Sequence, residues 1–113
     1  MIELGRELPE FSETARTDAN KVRGCVSQVW IEDGLENGAL RIRGDSDSHL
    51  VKGLVALAIA LYDGKKPSEA MAVDAQGVFR EFGLEQHLTP QRSNGVRSMI
   101  ERIRADAAAL AAV

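Results

Sequence analysis

The stretch that decides the fold runs from residue 40 to residue 61 and has the sequence LRIRGDSDSHLVKGLVALAIAL. In its first part, apolar Leu40 and Ile42 alternate with Arg41 and Arg43, which is the period-two pattern of a strand with one buried side. In its second part the apolar residues recur at helical spacing, at Leu50, Leu54, Leu57, Ala58 and Leu61. This change of period predicts a strand that passes directly into a largely buried helix.

The polar run between the strand and the helix, GDSDS at residues 44–48, supplies the start of that helix. Ser46 or Asp47 is predicted to cap the first turn by accepting a backbone N–H. The run lacks the twelve-residue spacing and the terminal glutamate of a calcium loop. Capping is therefore the simpler interpretation of these side chains.

Upstream of this stretch, residues 22–45 are predicted to form an antiparallel hairpin. The β-branched residues around Trp30 favour a strand, and Asp33-Gly34 and Asn37-Gly38 are dipeptides typical of tight turns. The segment that holds Cys25 then forms a loop at the entrance to the first long strand.

Downstream, the sequence carries the start and stop signals of several helices. Gly64 is a plausible stop for the first helix, Pro67 opens a short helix, and Asp74 caps another. Thr89-Pro90 resembles the cap and first residue of a long final helix. One sheet section followed by helices predicts an α+β sandwich, with helices on one face of a small antiparallel sheet.

Composition limits the classes of function. The chain has 113 residues, 44% of them hydrophobic, which suits one domain over residues 1–113. A net charge of −3 and only five aromatic residues argue against a nucleic-acid partner. The start Met1–Arg6 is not a signal peptide, and no run of 18 apolar residues would span a membrane. We therefore expect a cytoplasmic protein without a membrane partner.

Cys25 is the only cysteine, so an intrachain disulfide and a CxxC motif are excluded. Gly24 before it permits a tight turn that would present a side chain at a loop tip. Arg23 and Lys21 are near enough in sequence to favour the thiolate. Free cysteines are also commonly buried and inert, and the local sequence leaves both interpretations open.

Two histidines offer a further possibility. A cysteine-dependent hydrolase or transferase would need a histidine beside Cys25, and the candidates are His49 and His87. Neither histidine belongs to a motif that links it to the cysteine. The two lie too far apart in sequence for an HExxH metal site, and no resident metal is predicted.

Residues 20–30, with the sequence NKVRGCVSQVW, resemble the signature of the SufE family, which is Asn-x-Val-x-Gly-Cys-x-Ser-Gln-Val-Trp. Residues 44–54 resemble that family's strand-to-helix junction, and residues 87–95 resemble its C-terminal block. Three blocks occur in the family's order with compatible spacing, from about residue 2 to residue 107.

The resemblance implies a specific function and fold. SufE-like proteins share an α+β fold with IscU-type scaffolds and accept sulfur from a SufS-type cysteine desulfurase, which uses pyridoxal phosphate. They pass that sulfur on for iron–sulfur cluster assembly. By this resemblance Cys25 is the persulfide acceptor, and the chain is a sulfur carrier and desulfurase activator with no cofactor of its own, not a stand-alone enzyme.

The resemblance also implies supporting roles for residues near the cysteine. Ser27 and Gln28 are expected to shape the loop by hydrogen bonding, next to Arg23 and Gly24. Asp45 and Arg92 match motif positions and are expected to support the loop or to contact the desulfurase. A cluster scaffold is a further alternative, but one cysteine supplies too few ligands unless a second chain contributes.

The N-terminus departs from the family pattern. Family members carry a further helical stretch before the segment at which this chain begins, so the first helix is expected to be missing. Ile2, Leu4 and Leu8 resemble the stripe of a short helix that Pro9 ends. If that stripe is left uncovered, a second copy of the chain is expected to cover it in a weak homo-oligomer.

Overall fold

Two antiparallel strands form the sheet of the computed structural model, which describes residues 5–6, 8, 11–23, 27–81 and 89–111. Strand β1 spans Val29–Glu36 and strand β2 spans Ala39–Ser46. Asn37 and Gly38 join them with positive φ angles of 54° and 81°, as a two-residue type I′ turn requires. The hairpin prediction with a turn at this dipeptide is confirmed.

The other turn dipeptide is not a turn. Asp33 and Gly34 lie inside β1 and pair with Ile42 and Arg41 of β2. The turn at Asn37 lets all eight residues of each strand pair, whereas a turn at Asp33 would leave half of the ladder unformed. The strand prediction also began too early, because β1 starts at Val29.

The sheet has one apolar face. Val29 and Ile31 of β1 and Leu40 and Ile42 of β2 are buried. Residues opposite each other in the antiparallel register share a face, so Ile31 and Gly44 lie side by side on this inner face. The alternation predicted from the sequence of β2 is therefore confirmed.

In the described part of the chain, four helices follow the hairpin. Their bounds are α1 His49–Tyr62, α2 Pro67–Ala70, α3 Ala75–Glu81 and α4 Pro90–Ala111. A 3₁₀ turn, Glu13–Ala15, precedes the hairpin. Among the described parts of the chain, no helix combines the length and the apolar character needed to cross a bilayer.

The helix starts follow local signals, with one correction. Asp74 accepts a hydrogen bond from the backbone N–H of Gly77 at 3.0 Å, and Thr89 accepts one from Arg92 at 3.2 Å, as caps do. The predicted cap of α1 at Ser46 or Asp47 is wrong, because Ser48 is the residue that accepts from the first turn.

Helix α1 packs on β2 and helix α4 on β1, so both cover the inner face of the sheet. Gly44 allows the close approach of α1, since a Cβ there would lie 2.7 Å from Val55 Cγ1. The most deeply buried face of α1 consists of Leu54, Val55, Ala58, Ile59 and Tyr62. The predicted stripe through Leu50, Leu57 and Leu61 is only half-buried, because the sheet and α4 share a wider face of this helix.

The structure describes only part of the segment for which a short N-terminal helix is predicted. Ile2, Leu4 and Pro9 lie outside the described residues. Gly5 and Arg6 are helical, and Leu8 is partly buried against the core. Weak self-association through this segment stays a prediction.

Candidate functional site

The loop that contains Cys25 has a fixed base. The backbone N–H of Val22 donates to the carbonyl of Val29 at 2.8 Å, and that of Ile31 donates to the carbonyl of Asn20 at 2.8 Å. Lys21 forms an antiparallel bridge with Trp30. The chain before the loop thus runs beside β1, and residues 23–28 connect the two paired segments.

The described residues of this loop are its two ends. Arg23 is exposed in a turn, Ser27 is half-buried and Gln28 is exposed. Gly24 and Cys25 lie outside the described residues. The roles that the resemblance implies for these two residues therefore stay predictions.

Gln28 is anchored through its backbone. Its N–H donates to Asp47 Oδ1 at 3.1 Å, and its carbonyl accepts from Ser46 Oγ at 2.7 Å and from the Asp47 N–H at 3.3 Å. Ser46 and Asp47, which are the predicted helix caps, instead hold the end of the cysteine loop. The run GDSDS at residues 44–48 contains more polar side chains than one helix cap needs. That excess was the sign in the sequence that some of them have another role.

Asp45 joins the segment before the loop to β2 and α1. The residue is 5% exposed, and its carboxylate accepts from Arg16 Nη2 at 2.5 Å, while Lys52 Nζ lies 3.4 Å from its other oxygen. Arg16 also lies 5.7 Å from the centroid of the Trp30 ring, within the range of a cation–π contact. This placement gives Asp45 a supporting position inside the fold.

The charge of Asp45 is stabilised where it lies. Burial by itself would raise the pKa of its carboxyl, but the hydrogen bonds from Arg16 and the Ser46 backbone and the charge of Lys52 outweigh it. The pKa of Asp45 is therefore lower than its ordinary value of 3.8. Asp45 is thus an ionised carboxylate whose partners lie on three segments of the chain.

Arg92 and Ser27, which are far apart in the sequence, line the same small cavity. The cavity has a volume of about 230 Å³, and its walls include Leu54, Met99, Ser48 and Thr89. Leu54 and Met99 in its lining are buried, whereas Thr89 and Arg92 are exposed. The caps of α1 and α4 both face it, so the positive ends of two helix dipoles converge there.

The described residues offer no support for a cysteine–histidine hydrolase or for a metal-binding scaffold. His49 is exposed as the first residue of α1, and His87 lies outside the described residues. Within the ranges that the structure describes, no group of three or more His, Cys, Asp or Glu side chains is arranged to hold a metal ion.

Comparison with protein families assigns the chain to a known class. A family model described as "SufE: Fe-S metabolism associated domain" matches residues 1–107. An uncharacterised SufE-like protein of Rhizobium meliloti is 48% identical over 111 residues, which cover 95% of this chain and 79% of that protein. A second such protein, from Rhizobium etli, is 50% identical over 116 residues, which cover 99% and 78% of the two chains.

A solved structure shares the fold. The solution structure of a hypothetical protein from Thermus thermophilus superposes with a TM-score of 0.82 at 21% sequence identity. The match covers 99% of this chain and 82% of that one. Together with the family match, it confirms the α+β fold predicted from the sequence.

Proposed function

Because this chain belongs to the SufE family of proteins associated with Fe–S metabolism, we propose that it is a sulfur carrier with Cys25 as the acceptor. Its sulfur donor is a SufS-type cysteine desulfurase that contains pyridoxal phosphate, and its recipient is a scaffold on which iron–sulfur clusters are assembled. The chain itself needs no cofactor for this step and stimulates the desulfurase by removing its product.

The chemistry is thiol–disulfide exchange applied to a persulfide. The Cys25 thiolate attacks the outer sulfur of the desulfurase persulfide, and a new S–S bond forms on Cys25 as the old one breaks. The desulfurase cysteine leaves as a thiolate, so no external oxidant or reductant is required. One nucleophile is sufficient, and a chain with a single cysteine has no second thiol to resolve the persulfide early.

The observation that carries the proposal is the cavity between Ser27 and Arg92. Only one residue separates Ser27 from Cys25 in the sequence, and two residues of extended chain span at most about 7 Å. The cavity therefore lies within reach of the acceptor segment. Its buried apolar lining residues would limit access of water and oxidants to a bound persulfide, which is prone to further oxidation.

The electrostatics of the cavity also suit the reaction. A thiolate and a persulfide are both anions, and anions are stabilised near helix N-termini and beside arginine. Arg92 and the first turns of α1 and α4 line the cavity. We therefore propose that Arg92 supports the anionic forms of Cys25, a role compatible with its exposed position at the start of a helix.

A sulfur-transfer assay tests the proposal. The protein is mixed with a SufS-type desulfurase and free cysteine, quenched with an alkylating agent and weighed intact. We expect the wild-type chain to gain one sulfur atom and Cys25→Ser to gain none, because that variant has no thiol. Ser12→Ala, at the exposed residue that precedes the 3₁₀ turn, serves as a control that retains the acceptor.

The same assay gives a second readout. Desulfurase turnover is expected to rise on addition of the wild-type chain and to stay at its basal rate with Cys25→Ser. If the wild-type chain neither gains sulfur nor stimulates turnover while its circular dichroism shows it to be folded, the carrier proposal is wrong.

A further inference from the structure

Asp33 is a carboxylic acid on the apolar face of the sheet. It comes two residues after Ile31 in β1, so the two side chains share a face, and it lies opposite Ile42 of β2. Both neighbours are buried hydrophobic residues. Among the described residues, no donor reaches either carboxyl oxygen, although both oxygens are buried. A buried polar group without a partner is costly, so this carboxyl requires an explanation.

The group that Asp33 faces is a second carboxyl. Arg102 of α4 joins the two: it bonds Asp106 at 2.8 Å and approaches the carbonyl of Ile31, two residues before Asp33, at 3.5 Å, and the interaction with Asp106 is one of the causes that raise the pKa of Asp33. Two ionised carboxylates offer only acceptors, so a hydrogen bond between them exists only if one of them carries a proton. The missing donor is explained if a single proton lies between the two side chains.

The other charged groups around this pair are few. Arg102 of α4 donates through Nε to Asp106 Oδ2 at 2.8 Å. Glu32 is exposed on the opposite face of β1, and Arg41 and Arg43 of β2 share that opposite face. From α1, Lys52 lies 3.4 Å from Asp45 of β2, and Tyr62 is buried in the core. Asp63, which follows α1, accepts from the backbone N–H of Ile42 at 2.8 Å.

Arg102 connects the pair to the base of the cysteine loop. Its Nη2 donates to the carbonyl of Ala19 at 3.0 Å and approaches that of Ile31 at 3.5 Å. Ala19 immediately precedes the segment that pairs with β1 below the loop. The guanidinium therefore divides its donors between Asp106 and the chain that leads to Cys25.

We infer that Asp33 and Asp106 share one proton, and that this proton leaves Arg102 free to hold the segment before the cysteine loop. With the proton in place the two carboxyls carry one negative charge, which the Nε of Arg102 already satisfies. When the proton leaves for solvent, two negative charges compete for one guanidinium. Arg102 then turns from the carbonyls of Ala19 and Ile31 towards Asp33, and the base of the loop loosens.

Electrostatics place the change near physiological pH. Burial raises the pKa of Asp33 to about 8, with the hydrogen bond to Asp106 and the negative charge of Asp106 as further causes, while Arg102 acts in the opposite direction. The ordinary value is 3.8. The folded protein therefore retains this proton between about pH 4 and about pH 8, a range in which the unfolded chain has lost it. The pair does not depend on the sulfur chemistry, so the inference stands apart from the carrier proposal.

The pH dependence of unfolding tests the shared proton. A group whose pKa is higher in the folded state loses its contribution to stability as pH rises towards that value. Between about pH 4 and pH 8, we expect the folded-to-unfolded ratio of the wild type to fall by up to about tenfold per pH unit relative to Asp33→Asn. The asparagine amide donates to Asp106 without a titratable proton, so this variant keeps the contact. Parallel pH profiles for the two proteins would overturn the inference.

Two additions make the test specific. Glu101→Gln removes the same charge from an exposed position of α4, and its profile should follow that of the wild type. Infrared spectra of the folded wild type at pH 6.5 should show a protonated carboxyl band that disappears in Asp33→Asn. The absence of that band from the wild type would overturn the inference without reference to any variant's stability.

Discussion

Two buried carboxyls in this molecule have opposite pKa shifts, and their neighbours explain the difference. Asp45 is next to Arg16 and Lys52, so its charged form is favoured and its pKa is lowered. Asp33 is buried and interacts with the carboxyl of Asp106 instead of with a cation that outweighs burial, so its neutral form is favoured and its pKa is raised. Burial alone would raise both; the sign of the shift depends on which charges are nearby.

Replacing Asp45 with asparagine should destabilise the protein in a pH-dependent way. At neutral pH we expect a loss on the order of 2 kcal/mol, between the values for exposed and buried ion pairs, because Arg16 remains partly exposed. A lowered pKa means that this stabilisation is present above about pH 4 and is lost as pH falls through the folded-state pKa. Urea unfolding at several pH values measures the difference.

The control for this change is Asp18→Asn, which removes an exposed carboxylate from the same segment. Its stability should stay within about 0.5 kcal/mol of the wild type. A loss in Asp45→Asn that does not diminish as pH falls through the folded-state pKa would contradict the ion-pair explanation, since protonation of the carboxyl removes the ion pair.

The sequence could not distinguish these carboxyls. Asp33 precedes a glycine, and this dipeptide is typical of a turn. The signal rests on two adjacent residues only and does not report the strand pairing in which both take part. Its actual environment depends on Asp106, which lies 73 positions later in the chain. The resemblance singled out Asp45, but its contact with Arg16 depends on the path of a segment that has little regular structure.

At the scale of elements, the junction between β2 and α1 joins the core to the candidate site. Gly44 lets α1 lie close to the sheet. The next residues along the chain serve three purposes: Asp45 binds Arg16, Ser46 and Asp47 hold Gln28, and Ser48 caps α1. A displacement of α1 relative to β2 would therefore reach the cysteine loop through Gln28.

Substituting Gly44 with alanine should displace this junction. The added Cβ would lie 2.7 Å from Val55 Cγ1 and 3.1 Å from the carbonyl oxygen of Trp30, and overpacking of this kind costs about 1–3 kcal/mol. Gly34→Ala in β1 is the matched control, since a Cβ there meets nothing within 4 Å. Thermal unfolding should show a lower midpoint for the first variant only; equal midpoints would mean that α1 has room to move away.

Element boundaries were largely predictable, because their signals are local. Asp74 and Thr89 mark helix starts by accepting the backbone N–H three residues later, and Pro67 marks one through its fixed φ and its missing N–H. The α1 cap was misplaced by one or two residues, because Ser46, Asp47 and Ser48 are all able to cap. The structure decides between them by giving the first two a partner in Gln28.

At the scale of the whole molecule, α4 is the element that unites the fold. It packs against β1, α1 and α2, and its residues Arg102 and Arg104 donate to carbonyls of Ala19 and Val73. Its first turn also contributes Arg92 to the cavity beside the cysteine loop. Loss of α4 packing should therefore unfold the sheet and the helices together.

Ile103→Ala tests this cooperativity. Ile103 is 1% exposed in the centre of α4, and truncation of a buried isoleucine costs about 2–5 kcal/mol. Trp30 fluorescence, which reports on β1, and far-ultraviolet circular dichroism, which reports on the helices, should shift to the same lower urea midpoint. Separate midpoints would show that the hairpin and helices unfold independently. Glu101→Ala, exposed on the same helix, should leave both midpoints nearly unchanged.

The α+β class was predictable because the spacing of apolar residues changes along the chain from the period of a strand to that of a helix. The arrangement of the site was not predictable. Ser27 and Arg92 were both candidates, but only the packing of α4 beside α1 brings them to one cavity. That packing depends on buried side chains such as Met99 and Leu54, which mark a core in the sequence without showing which surfaces meet.

The fixed base of the cysteine loop has a consequence for recognition. Val22 is bonded to Val29, and Gln28 is held by Ser46 and Asp47, so the conformational entropy of both ends is lost when the protein folds. A partner that docks on the loop has at most the few residues between Arg23 and Ser27 to order. Since ordering costs about 0.5–1.5 kcal/mol for each immobilised side chain, the part of the binding penalty that comes from ordering this loop is small.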